Sequence, residues 1–153
     1  MEKVLVTGGL GFIGHNVVAL LEQQGYQCII TDTQTTYGII PQAELDYLIS
    51  ERRKKIKTDR IYRIDIADQD SIAWLMREHQ PSIVIHLASF PRQKVVNVSP
   101  QIGSRAMSEG LLNLLEHAKN NGVSKFVYIS SSMVYGDFTD DVTEDAVCNP
   151  QGQ

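Results

Sequence analysis

Three glycines near the N-terminus have the spacing of a phosphate-binding loop. The segment T7-G-G-L-G-F-I-G14 follows an apolar strand pattern and opens a helical one. In that context Gly8 permits a tight turn out of the strand, Gly11 lets a pyrophosphate approach the backbone, and Gly14 lets the helix pack closely on the strand. The free N–H groups and positive dipole end of the helix attract phosphate. The loop therefore predicts a dinucleotide-binding site.

A carboxylate follows at the position where the ribose of such a ligand would lie. Asp32 ends the second apolar run, 18 residues after Gly14. Its carboxylate can accept both ribose hydroxyls of an adenosine and would repel the 2′-phosphate of NADP. The next residues, T33-Q-T35, include no Arg or Lys. The pattern favours NAD over NADP or a flavin; the alternative is an aspartate that caps a turn.

A group of hydroxyl side chains, S130-S-S132, follows the last apolar run and precedes M133-V-Y-G136. Such a hydroxyl can take part in proton transfer at a site, or it can cap the turn at the end of a strand.

The elements that must position these residues are short apolar runs alternating with helical patterns. Strands are predicted at 3–7, 27–31, 61–64, 82–87 and 126–130, and helices at 12–24, 42–57, 68–79 and 100–121. Strands that alternate with helices indicate parallel βαβ units. We expect one α/β domain with a doubly wound parallel sheet, the NAD-binding Rossmann fold, over residues 1–153.

The apolar periodicity also predicts which helix faces are buried. The first helix is expected to turn five apolar residues toward the core: Phe12, Ile13, Val17, Leu20 and Leu21. In the helix at 68–79, Asp68 is expected as the N-cap, and the buried face comprises Ile72, Leu75 and Met76.

Composition narrows the class of protein. The chain has 153 residues, a formal net charge of -4 and no apolar stretch of transmembrane length. The acidic balance argues against nucleic acid or an anionic membrane as partner. The N-terminus lacks a signal-peptide pattern, and the two cysteines, Cys28 and Cys148, have no metal or redox spacing. Cys28 is expected to be an inert core thiol, and the protein is expected to be cytoplasmic.

A charged run, E51-R-R-K-K55, lies in the insertion between the second and third strands. It is interpreted as a solvated helix face, with an anion-binding or partner surface as the alternative.

With these motifs assembled, the sequence resembles the extended short-chain dehydrogenase/reductases, in particular the NAD-dependent nucleotide-sugar epimerase/dehydratase group. The glycine loop matches that group's TGGxGFIG. Asp32, D65-I66, H86-L-A88 and S130-S-S-M-V-Y-G136 match further family motifs in the expected order. The resemblance covers essentially the whole chain.

The resemblance implies a role for each matching residue. NAD is the implied cofactor, and the implied cofactor-binding residues are Gly8, Gly11, Phe12, Ile13, Gly14, Asp32, Asp65, Ile66, Leu87, Ala88 and Ser89. Ser131 is implied to bind the sugar hydroxyl and to assist proton transfer. Many relatives place polar or basic residues near the substrate around S89-F-P-R-Q-K94, so Arg92 and Lys94 are candidates for holding a substrate anion, with surface solubility as their alternative. Dehydratases of the group carry Asp-Glu directly after this position, where this chain has Ser132 and Met133, so dehydratase chemistry is disfavoured.

The family's Tyr-x-x-x-Lys motif is absent. None of the six tyrosines is followed by Lys four residues later, and in relatives the motif would fall just past Gln153. The expectation is the cofactor-binding front of an NAD-dependent nucleotide-sugar epimerase that is cut before this helix and the substrate domain. It would act on a nucleotide-diphosphate sugar and would form a homodimer or self-associate. The alternatives are a dehydrogenase, reductase or dehydratase of the same group and a non-catalytic NAD-binding domain.

Overall fold

A single parallel sheet organises the chain. The computed structural model describes residues 1–36, 38–90, 99–137 and 141–150. The five strands have the order β3-β2-β1-β4-β5, all parallel to their neighbours. They are β1 (Lys3–Thr7), β2 (Gln27–Thr31), β3 (Ile61–Tyr62), β4 (Ile83–His86) and β5 (Lys125–Tyr128).

Helices connect the strands and cover both faces of the sheet. They are α1 (Gly14–Gln23), α2 (Gln42–Arg53), α3 (Gln69–His79), α4 (Pro100–Ser104) and α5 (Gly110–Asn120). A π-helical turn (Arg105–Glu109) joins α4 to α5, and a short 3₁₀ helix (Ser132–Tyr135) follows β5. The predicted doubly wound sheet is confirmed.

Two apolar clusters fill the two faces because alternate residues of β1 point in opposite directions. Leu5 packs in the cluster with α3 and α5, through residues such as Leu75 and Leu114. Val4 and Val6 pack in the other cluster, on the side of α1. A strand buried on both faces reads as a continuous apolar run, which is the pattern of K3-V-L-V-T7.

The register of the sheet brings the polar strand ends to one level. Thr7 at the end of β1 lies opposite Thr31 of β2 and His86 of β4. The loops that follow these strands therefore leave the sheet side by side.

Helix α3 forms as its sequence predicts. Asp68 caps it, because its carboxylate accepts hydrogen bonds from the Ser71 N–H and hydroxyl. These bonds lower the pKa of Asp68. Ile72, Leu75 and Met76 are fully buried, as expected.

The predicted core face of the first helix is wrong at three positions. Phe12, Ile13 and Leu20 are 77%, 59% and 54% exposed. The helix begins only at Gly14, so Phe12 and Ile13 belong to the preceding turn, at the mouth of a cleft. Leu20 lies on the side of α1 away from Val18, the residue that enters the core.

Several element boundaries also differ from the predictions. Helix α2 ends at Arg53 rather than at 57, and β3 has two residues rather than four. The ends of β4 and β5 shift by one or two residues.

The helix predicted at 100–121 is interrupted by the π-helical turn. Just after this turn, Gly110 packs so closely that a Cβ there would lie 2.5 Å from Cγ1 of Ile66. π-helical turns occur often beside functional sites, and two residues of this turn, Ala106 and Met107, line the cleft described below.

Cys28 is buried, and burial raises its pKa to about 11, as expected for an inert core thiol. Within the described residues no helix is both long and apolar enough to cross a membrane.

Candidate functional site

A two-lobed cleft crosses the carboxyl edge of the sheet. The strand order reverses between β1 and β4, and ligands of open α/β sheets bind at such a point. The smaller lobe, about 170 Å³, lies toward β2 and β3, and the larger, about 500 Å³, lies toward β5. The lobes share the walls formed by the loops after β1 and β4.

The structure brings the predicted cofactor-binding residues and Ser131 to this cleft. Asp32, Asp65 and Ile66 line the smaller lobe. Phe12, Ile13, Gly14 and Ser131 line the larger lobe. Both lobes are lined by Gly8, Gly11, Leu87, Ala88 and Ser89. Arg92 and Lys94 lie outside the described residues.

The glycine loop is close-packed where its sequence requires glycine. Gly8 has φ +67°, and a Cβ there would lie 2.8 Å from the backbone N of Ala88. A Cβ on Gly14 would lie only 2.1 Å from the carbonyl O of Gly8. The loop therefore turns tightly while α1 starts directly against it.

The start of α1 presents free hydrogen-bond donors to the cleft. In the part of the chain that the structure describes, the N–H groups of Phe12, Ile13 and Gly14 have no hydrogen-bond partner. They stand at the positive end of a ten-residue helix. This arrangement suits a phosphate or pyrophosphate group.

Asp32 is held in place by two backbone donors. Its Oδ2 accepts from the N–H of Leu10 at 3.0 Å, and its Oδ1 accepts from the N–H of Gln34 at 2.8 Å. Each carboxylate oxygen has a further lone pair, so both can still accept a hydroxyl. Asp32 therefore joins the glycine loop to a position suited to a ribose diol.

Apolar side chains close the far end of the smaller lobe. Ile64 and Ile66 line it, and Ile66 is almost fully buried. Between them, Oδ1 of Asp65 accepts the N–H of Ala67 at 2.9 Å, which fixes the turn after β3. The lobe thus combines apolar side chains with a carboxylate, which suits a purine base.

His86 connects the two central strand ends, a role that sequence reasoning missed. Its Nδ1 lies 2.7 Å from Oγ1 of Thr7, which also accepts the N–H of Ala88 at 3.1 Å. Burial lowers the pKa of His86 to about 4, so its imidazole is neutral near pH 7. The continuous apolar run around His86, S82-I-V-I-H-L87, could have signalled a buried imidazole, but not its partner.

Ser131 stands at the opposite end of the cleft from Asp32. It caps the 3₁₀ helix, since its Oγ accepts the N–H of Met133 at 3.2 Å. The side chain is exposed, and its own hydrogen remains free to donate into the larger lobe. Ser131 therefore caps the turn after the strand, as the alternative predicted, and also lies at the cleft.

The interpretation of the run E51–K55 as a solvated face is wrong for Arg52. Its Nη1 donates to the Leu10 carbonyl O at 2.9 Å, across 42 residues of sequence. Lys54 instead forms an exposed ion pair with Glu51. No local pattern distinguishes Arg52 from its charged neighbours, so only the packing of α2 identifies it.

The cleft fits a dinucleotide in each of its parts. It offers a glycine cradle that a Cβ would fill, unpartnered N–H groups for two phosphates, and a carboxylate for a ribose. The apolar pocket at one end and the Ser131 hydroxyl at the other complete the site.

Comparison with known proteins agrees with this geometry. The model of the NAD dependent epimerase/dehydratase family matches residues 4–152. A UDP-glucose 4-epimerase of Neisseria meningitidis serogroup C is 32% identical over 161 residues, covering 99% of this chain and 44% of the relative. The mouse UDP-glucose 4-epimerase is 34% identical over 139 residues, covering 89% of this chain and 39% of the relative.

Solved structures show the same fold. The Thermus thermophilus UDP-glucose 4-epimerase in complex with NAD aligns with a TM-score of 0.78 and 27% identity, covering 97% of this chain and 45% of that one. The Thermotoga maritima enzyme with UDP-glucose aligns with a TM-score of 0.80 and 26% identity, covering 98% and 45%. The chain thus spans less than half the length of these relatives.

Proposed function

Because the chain belongs to the NAD-dependent epimerase/dehydratase family, we propose that residues 1–153 supply the NAD-binding part of a nucleotide-sugar epimerase. The observation that carries the proposal is the placement of Asp32 and the N–H groups of Phe12, Ile13 and Gly14 around one cleft. These groups match the ribose and pyrophosphate of NAD in order along the strand ends.

The chain's residues would orient the cofactor rather than transform it. The pyrophosphate would accept hydrogen bonds from the start of α1, and Asp32 would accept both adenosine ribose hydroxyls. Ile64 and Ile66 would contact the adenine, with Asp65 at its polar edge. Leu87, Ala88 and Ser89 would line the stretch between the lobes. Bound NAD supplies a hydride acceptor for the oxidation of a sugar carbon.

Ser131 would contribute a hydroxyl to the substrate end. Its Oγ is oriented by the Met133 N–H, so its hydrogen can donate to an oxygen of the sugar. The neighbouring residues Ser132 and Met133 offer no acid–base group, which favours epimerisation over dehydration. The substrate in this proposal is a nucleotide-diphosphate sugar.

The full reaction needs a proton acceptor that this chain does not contain in Tyr-x-x-x-Lys form. None of its six tyrosines is followed by Lys at the fourth position. We therefore propose that residues 1–153 alone bind NAD weakly and do not turn over UDP-glucose. The alternative that this observation favours is a non-catalytic NAD-binding domain.

Cofactor titration tests the binding part of the proposal. Affinity for NAD and NADP is measured for the wild type and for Asp32→Asn by calorimetry. We expect the wild type to prefer NAD, and Asp32→Asn to bind NAD about tenfold more weakly with a smaller preference, since a charge-assisted hydrogen bond contributes about 1.5–3 kcal/mol. Equal NAD affinity of the two proteins, or preference of the wild type for NADP, would refute the assignment of Asp32.

A second experiment separates the epimerase from the non-catalytic alternative. The intact mass of the gene product is measured after isolation from its native source and compared with 17.1 kDa. A much larger mass, with epimerase turnover that Ser131→Ala reduces, supports the proposal. A mass of 17.1 kDa favours the non-catalytic domain. Epimerase turnover by residues 1–153 alone contradicts the proposal that this part of the protein binds NAD without catalysing the reaction.

A further inference from the structure

The peptide at Leu10 in the glycine loop is fixed on every side. Its N–H donates to Asp32, and its carbonyl O accepts from Nη1 of Arg52 at 2.9 Å. The following N–H, of Gly11, donates to the Gly8 carbonyl O at 2.9 Å. Leu10 itself is 1% exposed, so its own N–H and carbonyl O cannot be satisfied by bulk water without opening the loop.

Arg52 reaches this peptide because α2 is anchored beside it. Leu45, Ile49 and Arg52 follow the spacing of one helix face. Leu45 is buried, and Ile49 packs against the apolar cluster that contains Leu10. The apolar part of α2 therefore sets the position of the guanidinium over the loop.

We infer that Arg52 is a positioning residue for the phosphate-binding loop. By holding the Leu10 carbonyl away from the cleft, it fixes the orientation of the Leu10–Gly11 peptide and of the N–H groups that follow at 12–14. A cation at this point also offsets the partial negative charge of a carbonyl near a phosphate site. The insertion between β2 and β3 thus becomes part of the cofactor site without touching the cofactor.

Arg53 provides a matched control. It is the next residue of α2, has the same side chain and is exposed, and within the described residues its guanidinium forms no hydrogen bond or ion pair. Arg53→Met therefore reproduces the change in charge and composition of Arg52→Met without the contact to Leu10.

The first measurement needs no ligand. Amide hydrogen exchange of Leu10 and Gly11 is followed by NMR in the wild type, Arg52→Met, Arg52→Lys and Arg53→Met. We expect exchange at these two amides to accelerate about tenfold in Arg52→Met, with no change in Arg53→Met. The reason is that the Gly11 N–H lies in the Leu10–Gly11 peptide that Arg52 holds, and the Leu10 N–H lies in the adjoining peptide. Arg52→Lys, which retains a single donor, should be intermediate.

The second measurement rests on the proposed function: NAD and adenosine affinities for the same four proteins. We expect Arg52→Met to lose about tenfold in NAD affinity and less in adenosine affinity, because the loop contacts the pyrophosphate. Arg53→Met should match the wild type. Unchanged exchange at Leu10 and Gly11 in Arg52→Met would overturn the inference, whatever the NAD result. Equal losses for NAD and adenosine would reduce Arg52 to a general stabilising residue and would also overturn it.

Discussion

Removing the imidazole at the centre of the cleft should change how the stability of the protein depends on pH. His86 is 3% exposed, stacks on Tyr128 with ring centroids 5.7 Å apart, and contacts the Thr7 hydroxyl. That hydroxyl oxygen also accepts the Ala88 N–H, which fixes the Thr7 side chain beside the imidazole. Protonation would place a positive charge on an imidazole that is buried from water.

The magnitude follows from the pKa. Burial lowers the pKa of His86 from 6.5 to about 4, so as the pH falls the unfolded chain takes up the proton first. Stability from the neutral imidazole is therefore complete above pH 6.5 and is lost between pH 6.5 and 4. Linkage gives a loss of about 2 kcal/mol at pH 5 and about 3 kcal/mol at pH 4.

Urea unfolding of the wild type and His86→Asn at pH 7.5 and pH 5 measures this loss. We expect the free energy of unfolding of the wild type to fall by about 2 kcal/mol more than that of His86→Asn, which does not titrate. The pKa of His79 is also lowered by burial, but His79 is present in both proteins and cancels. Parallel pH dependences, or an NMR titration of His86 near pH 6.5, would refute the reasoning.

Three further predictions concern the glycine loop, the two cysteines and the edge of the sheet. Gly14→Ala should lower the free energy of unfolding by about 2 kcal/mol and weaken NAD binding, because its Cβ would lie 2.1 Å from the Gly8 carbonyl O; unchanged thermal stability would contradict this. At pH 8 iodoacetamide should modify exposed Cys148 and spare Cys28, whose pKa is about 11, so the intact mass should show one adduct rather than two. The outer edge of β5, which pairs only with β4 among the described strands, should promote self-association in sedimentation at high concentration; a strictly monomeric profile would count against it.

Much of the fold could be predicted because the strands are buried on both faces. A short continuous apolar run such as Val4–Val6 predicts a strand that is buried on both faces. The alternation of such strands with helices then predicts a parallel sheet. The start of helix α3 could be predicted because Asp68 caps it through a residue only three positions later, and Ile72 follows the apolar period of the helix.

The failures occurred where distant contacts decide the structure. Phe12 and Ile13 fit a helical period, but the turn at Gly14 against Gly8 starts the helix later and leaves both side chains exposed. The π-helical turn likewise depends on the approach of Gly110 to Ile66, 44 residues earlier in the sequence.

The candidate site likewise contains residues that the sequence predicted and residues that it did not. Residues tied to a motif, such as Asp32 and Ser131, were predicted at the cleft and lie there. Arg52 and His86 were missed, because their roles depend on hydrogen bonds to Leu10 and Thr7 that no local spacing encodes.

NMR mapping of NAD on the isotope-labelled chain tests the central claim most directly. Saturating NAD should shift the amide signals of Gly11–Gly14, Asp32, Ile66 and Ala88, which line the two lobes. The amides around Glu22 and Thr58, which line a shallow pocket away from this cleft, should not move. Shifts confined to that second pocket, or no saturable shift at the glycine loop, would contradict the account.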